Sequence, residues 1–209
     1  SLQELLDFYN SEWEKNWNDS ILIVREEYDK ENFRKMGEKF ITDYYNRYAP
    51  FDQAKTIGLE MRIEIKLDDK GEYVLQGFLD RLASPSDGVY EIHDYKTSNT
   101  LPTQDKADVD RQLALYAIAV REMYSDCKKV ILAWHYLAFD REIRSERSEE
   151  QLGELKKQVI DSIKEIESTT DFQPNESALC GWCDFRELCP RFSHLVELKD
   201  KKPAEFLAD

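Results

Sequence analysis

Apolar and polar residues follow two periods along this chain. Residues 57–67 (IGLEMRIEIKL) alternate apolar and polar side chains, the mark of a half-buried strand. Asp68-Asp69-Lys70-Gly71 reads as a hairpin turn, and a second strand is expected over 72–83. Ser84 to Gly88 (SPSDG) makes another turn before a third strand at 89–96 (VYEIHDYK). Helical spacing takes over elsewhere. Residues 2–17 and 24–48 read as helices, the second with Ile23, Tyr28, Phe33, Met36, Phe40 and Tyr44 at roughly helical intervals. The Ala49-Pro50 step punctuates its end. A polar loop, 97–106, leads into a helix at about 107–125, then a strand-like run at 129–139. Residues 146–168 form a charged amphipathic helix with Leu152, Leu155, Val159, Ile163 and Ile166 on one face. The order is helix, three strands, helix, strand, helix, a mixed α/β layout that opens as a meander.

This pattern places particular side chains together. Ile92, Asp94 and Lys96 share one strand face, because side chains alternate with period two. Asp80, near the end of the preceding strand, is brought beside them by the short hairpin. Two carboxylates converging at a sheet end repel each other unless a cation lies between them. Hard oxygen ligands with open positions suit Mg²⁺ or Mn²⁺. A neighbouring lysine can orient or help deprotonate a water and offset charge on a phosphoryl group. The plainer reading of Asp94 and Lys96 is a surface salt bridge, and the triplet alone is weak. The ordered set Gly77-Phe-Leu-Asp80-Arg81, turn, Asp94-Tyr-Lys96-Thr97 is stronger, with Gly77 allowing close backbone approach. On the next helix Gln112 and Tyr116 lie four apart and share a face. Alone, they read as a solvated glutamine and a core tyrosine.

GFLDR, DYKTS and the Gln112-x-x-x-Tyr116 spacing resemble the RecB-like branch of the PD-(D/E)xK nuclease superfamily. That branch includes the nuclease domains of RecBCD and AddAB helicase–nucleases and the CRISPR-associated exonucleases. The match runs in order over roughly residues 57–192. It implies an α/β restriction-endonuclease-like core, a central mixed β-sheet flanked by helices. It implies divalent metal held by Asp80, Asp94 and the backbone carbonyl of Tyr95, with Lys96 catalytic and Gln112 and Tyr116 in support. Glu60 stands where related sequences often carry an acidic residue. Alternating Glu60, Arg62 and Glu64 read equally well as a solvated strand face.

The pattern departs from the family in two places. The histidine that family members usually carry on an upstream helix is missing: His93, His135 and His194 all follow the first strand. By strand alternation His93 faces away from Asp94, as a structural polar residue. The segment Cys180-Gly-Trp-Cys183-Asp-Phe-Arg-Glu-Leu-Cys189-Pro190 has thiol spacing that suits an iron–sulfur cluster or zinc. The resemblance implies a [4Fe-4S] cluster completed by a cysteine near the amino end, yet no cysteine precedes Cys127. Three reduced cysteines are an equal alternative, and zinc on the three thiolates with His194 is a third. With the initial Ser1, these gaps suggest a chain that lacks an upstream helix. The organisation expected is a helical segment at 1–50, a nuclease core at 51–170 and a cysteine-rich segment and tail at 171–209.

Composition tempers the picture. With 41% hydrophobic residues the chain can bury a core, and no apolar run is long enough to cross a bilayer. A soluble, cytoplasmic protein is expected. The net charge of −14 argues against a chain that grips DNA by neutralising phosphates. It directs attention to a helicase domain or partner protein that delivers single-stranded or processed DNA ends. The preferred reading is a metal-dependent DNA exonuclease of repair, recombination or CRISPR-type processing. Two readings compete: a nuclease-like scaffold or DNA-end binder, and an iron–sulfur redox protein that leaves the carboxylates and lysine unexplained.

Overall fold

The alternating stretches become three antiparallel strands, β1 (Lys55–Lys66), β2 (Val74–Ser86) and β3 (Val89–Lys96). The computed structural model describes residues 1–23 and 27–192. The turn after β1 is built as its sequence suggests: Asp68 Oδ1 accepts the Tyr73 N–H, and Gly71 takes a left-handed φ of 70°. The β2–β3 turn closes on Gly88, φ 75°. β3 pairs in parallel with β4 (Lys129–Tyr136), and β4 pairs antiparallel with β5 (Arg141–Glu146). The result is one mixed five-stranded sheet in the order β1-β2-β3-β4-β5, flanked by helices as expected. β3 is central and is buried from Tyr90 through Asp94, on both faces.

A parallel pair needs a crossover connection. Here α3 (Gln104–Asp108) and α4 (Gln112–Met123) supply it, and α4 packs on β1, β3 and β4. Its apolar positions Leu113, Ala114, Ala117, Ile118 and Val120 are all buried. The opposite face of the sheet receives α2 (Lys30–Tyr48), whose Tyr44 and Tyr48 reach Tyr95 and His135. α1 (Leu2–Asn16) packs on α2, and the first half of α5 (Glu149–Ser168) buries Leu152 and Leu155.

Several element boundaries differ from the sequence reading: β2 runs to Ser86 into the expected turn, α5 starts at Glu149 rather than 146, and three others have a visible cause. The helix expected over 24–48 begins at Lys30, because Asp29 and Asn32 cap each other's backbone N–H at 2.8 Å. Its residues 24–26 lie outside the described residues, as do His194 and the tail. The single helix expected at 107–125 is broken between Asp108 and Gln112. Asp110 Oδ1 accepts the Gln112 N–H at 3.0 Å, and Arg147 takes the Ala107 and Asp110 carbonyls at 2.7 and 3.1 Å. The strand expected over 129–139 stops at Tyr136, a 3₁₀ turn covers Leu137–Phe139, and Asp140 reverses the chain with φ 46°. The β5 strand that follows was not expected, since its REIRSE sequence is charged and only Ser145 is buried.

The chain divides into two units, Ser1–Asp161 and Ser162–Asp209. In the described part of the second, the end of α5 is followed by short 3₁₀ turns at Ala178–Trp182 and Arg186–Leu188.

Candidate active site

β3 ends on Asp94-Tyr95-Lys96; β2 holds the Tyr95 amide, α4 holds Lys96, and Lys96 in turn pairs with Asp94. The Tyr95 N–H donates to Asp80 Oδ2 on β2 at 2.9 Å. Lys96 Nζ lies 2.7 Å from Asp94 Oδ2 and donates to Gln112 Oε1, at the first turn of α4, at 3.0 Å. Asp80, Asp94, Tyr95, Lys96 and Gln112 thus form one contiguous polar chain across β2, β3 and α4. Tyr116 is one turn further along. Its ring covers Gly77 of β2 so closely that a Cβ there would come within 2.5 Å of Tyr116 Cε1. Gly77 is therefore required by the approach of α4. Among the described residues Tyr116 makes no hydrogen bond to these five. Glu60 is exposed on the edge strand β1 with a left-handed φ of 47°.

The electrostatics follow from burial. Asp94 is 5% exposed, and burial, with added repulsion from Asp80 and Asp110, holds its carboxyl above the ordinary range against the pull of Lys96. Its Oδ2 is buried with an ion-pair partner but no well-aligned hydrogen bond. A buried, incompletely satisfied carboxylate beside a second one is a donor set that fits a hard divalent cation. Among the described residues no group of three or more His, Cys, Asp or Glu side chains converges on a metal position. The fit is therefore to an ion that takes one or two carboxylates and keeps water elsewhere, the habit of Mg²⁺. Asp80, Asp94 and the Tyr95 carbonyl are the residues that would hold it.

Cys180, Cys183 and Cys189 are free thiols lining one cavity of about 270 Å³ with Phe185, Leu188 and Phe192. They do not converge into a ligand set. The [4Fe-4S] cluster implied by the resemblance therefore finds no fit in the described residues.

Two groups beside the site escaped sequence reasoning. Asp110 fixes the start of α4 and adds its charge to that around Asp94. It lies just before the N-cap Arg111, a position hidden while 107–125 reads as one helix. Behind the sheet, His93 faces away from Asp94, as alternation requires, and meets His135 at 2.8 Å. The partner, forty-two residues on, had no signal in the sequence.

Among the described residues no helix is long and apolar enough to cross a membrane. No curated protein matches the chain. Of the solved structures, the crystal structure of SSO0001 is similar over 91% of this chain and 96% of its own, at 14% identity and a TM-score of 0.36, too distant to carry an argument. The sequence matches the family model of the PD-(D/E)XK nuclease superfamily over residues 1–190, with the mixed sheet and flanking helices that this fold requires. On that match the chain belongs to the PD-(D/E)XK nuclease superfamily.

Proposed function

We propose that this protein is a divalent-metal-dependent deoxyribonuclease of the RecB-like branch, an exonuclease acting on single-stranded or processed DNA ends. Superfamily members are in general nucleases and typically use Mg²⁺ or Mn²⁺. The observation that carries the reading is the placement of Lys96 Nζ between Asp94 Oδ2 and Gln112 Oε1, beside an Asp80 oriented by the Tyr95 amide. Asp80, Asp94 and the Tyr95 carbonyl are the residues that would hold the cation. When bound, the ion supplies Lewis-acid stabilisation of phosphoryl charge and lowers the pKa of water. Lys96 has three N–H donors: one goes to Gln112 Oε1, and the side of the ammonium towards Asp94 Oδ2 is taken up by the ion pair at 2.7 Å. The third can hold the attacking water or a phosphoryl oxygen, where a fixed positive charge offsets the charge that develops. Gln112 keeps the ammonium aimed, and Tyr116 holds α4 against β2.

The −14 charge supports delivery of DNA by a helicase domain or partner protein, in cytoplasmic repair, recombination or CRISPR-type processing. The same charge favours a second reading, a catalytically weak scaffold or DNA-end binder. Labelled single-stranded DNA with Mn²⁺ separates them. The wild type is expected to degrade it, and Lys96→Ala, a half-exposed position, is expected to fold and lose at least about a hundredfold in rate. Equal rates in the two proteins would refute the nuclease reading. Mn²⁺ affinity that is unchanged in Asp94→Asn would favour the scaffold.

A further inference from the structure

The face of β3 turned away from Lys96 carries a buried polar cluster that the proposed reaction does not use. Glu91, His93 and His135 are 6%, 4% and 3% exposed. The two imidazoles stack with centroids 5.1 Å apart and planes 17° apart. His135 Nδ1 lies 3.2 Å from the Tyr48 hydroxyl, which donates to Glu142 Oε2 at 2.6 Å. Tyr48 has one proton and gives it to Glu142. His135 Nδ1 therefore carries the hydrogen between them, and its Nε2 accepts from His93 Nδ1. At the far end His93 Nε2 faces Glu91 Oε2 at 3.3 Å, and Arg144 closes on Glu91 Oε1 at 2.6 Å.

The Tyr95 ring rests on that platform. It stacks on His135 with centroids 5.0 Å apart and planes at 19°. Tyr44 of α2 meets it edge-on at 5.5 Å, and the two hydroxyls lie 3.0 Å apart. The backbone of the same residue lies between Asp94 and Lys96, and its amide holds Asp80 at 2.9 Å. A ring fixed on its face, edge and hydroxyl leaves the attached peptide little freedom to rotate.

We propose that His135 and Tyr44 are positioning residues for divalent-metal binding: by locking the Tyr95 ring from behind the sheet, they set the peptide that orients Asp80 and presents the Tyr95 carbonyl. The inference rests on the metal-dependent reading above. Partners one shell out from a metal typically change its affinity by about 10–100-fold when removed. A cluster that only fills space would change stability and leave metal affinity alone.

Calorimetric titration of Mn²⁺ into the whole chain, without nucleic acid, tests this. Tyr44→Phe and Tyr95→Phe each remove one hydroxyl and keep the ring, and each is expected to weaken Mn²⁺ binding about tenfold. The double variant should lose less than the sum of the two single losses, because both break the Tyr44–Tyr95 contact, while each hydroxyl also faces Arg81. His135→Leu should lose as much, and if it fails to fold the tyrosine pair carries the test. Folded tyrosine variants that bind Mn²⁺ as the wild type does would overturn the proposal, as would strictly additive losses. A wild type that binds no Mn²⁺ would instead bring down the metal-dependent reading, and this inference with it.

Discussion

Asp110 shows how one side chain outside the familiar residues governs the site. Its Oδ1 holds the N–H that starts α4, and α4 presents Gln112 to Lys96. Asp110→Ala is expected to cost about 1 kcal/mol in urea unfolding, the usual net value of one lost hydrogen bond. Asp110→Asn should recover most of it, because the amide oxygen still accepts. Gly77 sets a steric limit. Gly77→Ala places a methyl 2.5 Å from the Tyr116 ring and should destabilise by roughly 1–3 kcal/mol. A smaller loss would mean that α4 yields easily. At this scale the sequence was informative wherever local spacing decides geometry. Asp94 and Lys96 share a face because strands alternate, and Asp80 meets them because the hairpin is short. Tyr116 was legible only as a neighbour of Gln112, since its contact with Gly77 depends on how closely a helix lies on a sheet.

Among elements, the break between α3 and α4 is the instructive one. Residues 107–125 read as one helix, and nothing local forbids that. The break depends on Arg147, far along the chain, which binds the Ala107 and Asp110 carbonyls and reaches Ser145. Arg147→Ala leaves two carbonyls without their charged donor, a loss of about 1–3 kcal/mol. Amide exchange should rise across 104–112, and nuclease activity should fall although Arg147 touches none of the site residues. Unchanged exchange there would show that Asp110 alone fixes the junction. β5 was illegible for a related reason. Charged residues protect an edge strand from further pairing, and they also erase the apolar alternation by which strands are read. Arg47 of α2 ties the turn before it, meeting Asp140 Oδ1 at 2.8 Å.

For the whole molecule, the buried cluster couples folding to pH. Burial, followed by the charge of its neighbour His93, depresses the His135 pKa from 6.5 to about 4. The unfolded chain therefore binds more protons than the folded one between those values, and stability falls as pH drops through that window. The loss attributable to this group is about 3 kcal/mol. Glu91 extends the trend. His93 beside it, with Arg144, holds its carboxyl down at about 2 against the burial that opposes them, so stability present above pH 4.5 is lost towards pH 2. Melting temperature should decline below pH 6.5, with a shallower decline between 6.5 and 4 in His135→Leu. Parallel curves would contradict the assignment.

Asp94 has a consequence on the same scale. Its buried Oδ2 lacks a well-aligned hydrogen bond while Asp80 and Asp110 repel it, so the metal-free fold retains like charge that the Lys96 ion pair offsets only in part. Thermal stability then becomes a gauge of site occupancy. Mn²⁺ at about a hundred times its dissociation constant adds about 2.7 kcal/mol, which for a domain of this length is a rise of roughly 5–10 °C. A chelator should reverse it. Asp94→Asn, with that charge removed, should melt no lower than the metal-free wild type and gain nothing from Mn²⁺. A protein of this design is least stable when idle, and in a cell its lifetime would follow the supply of the ion it works with.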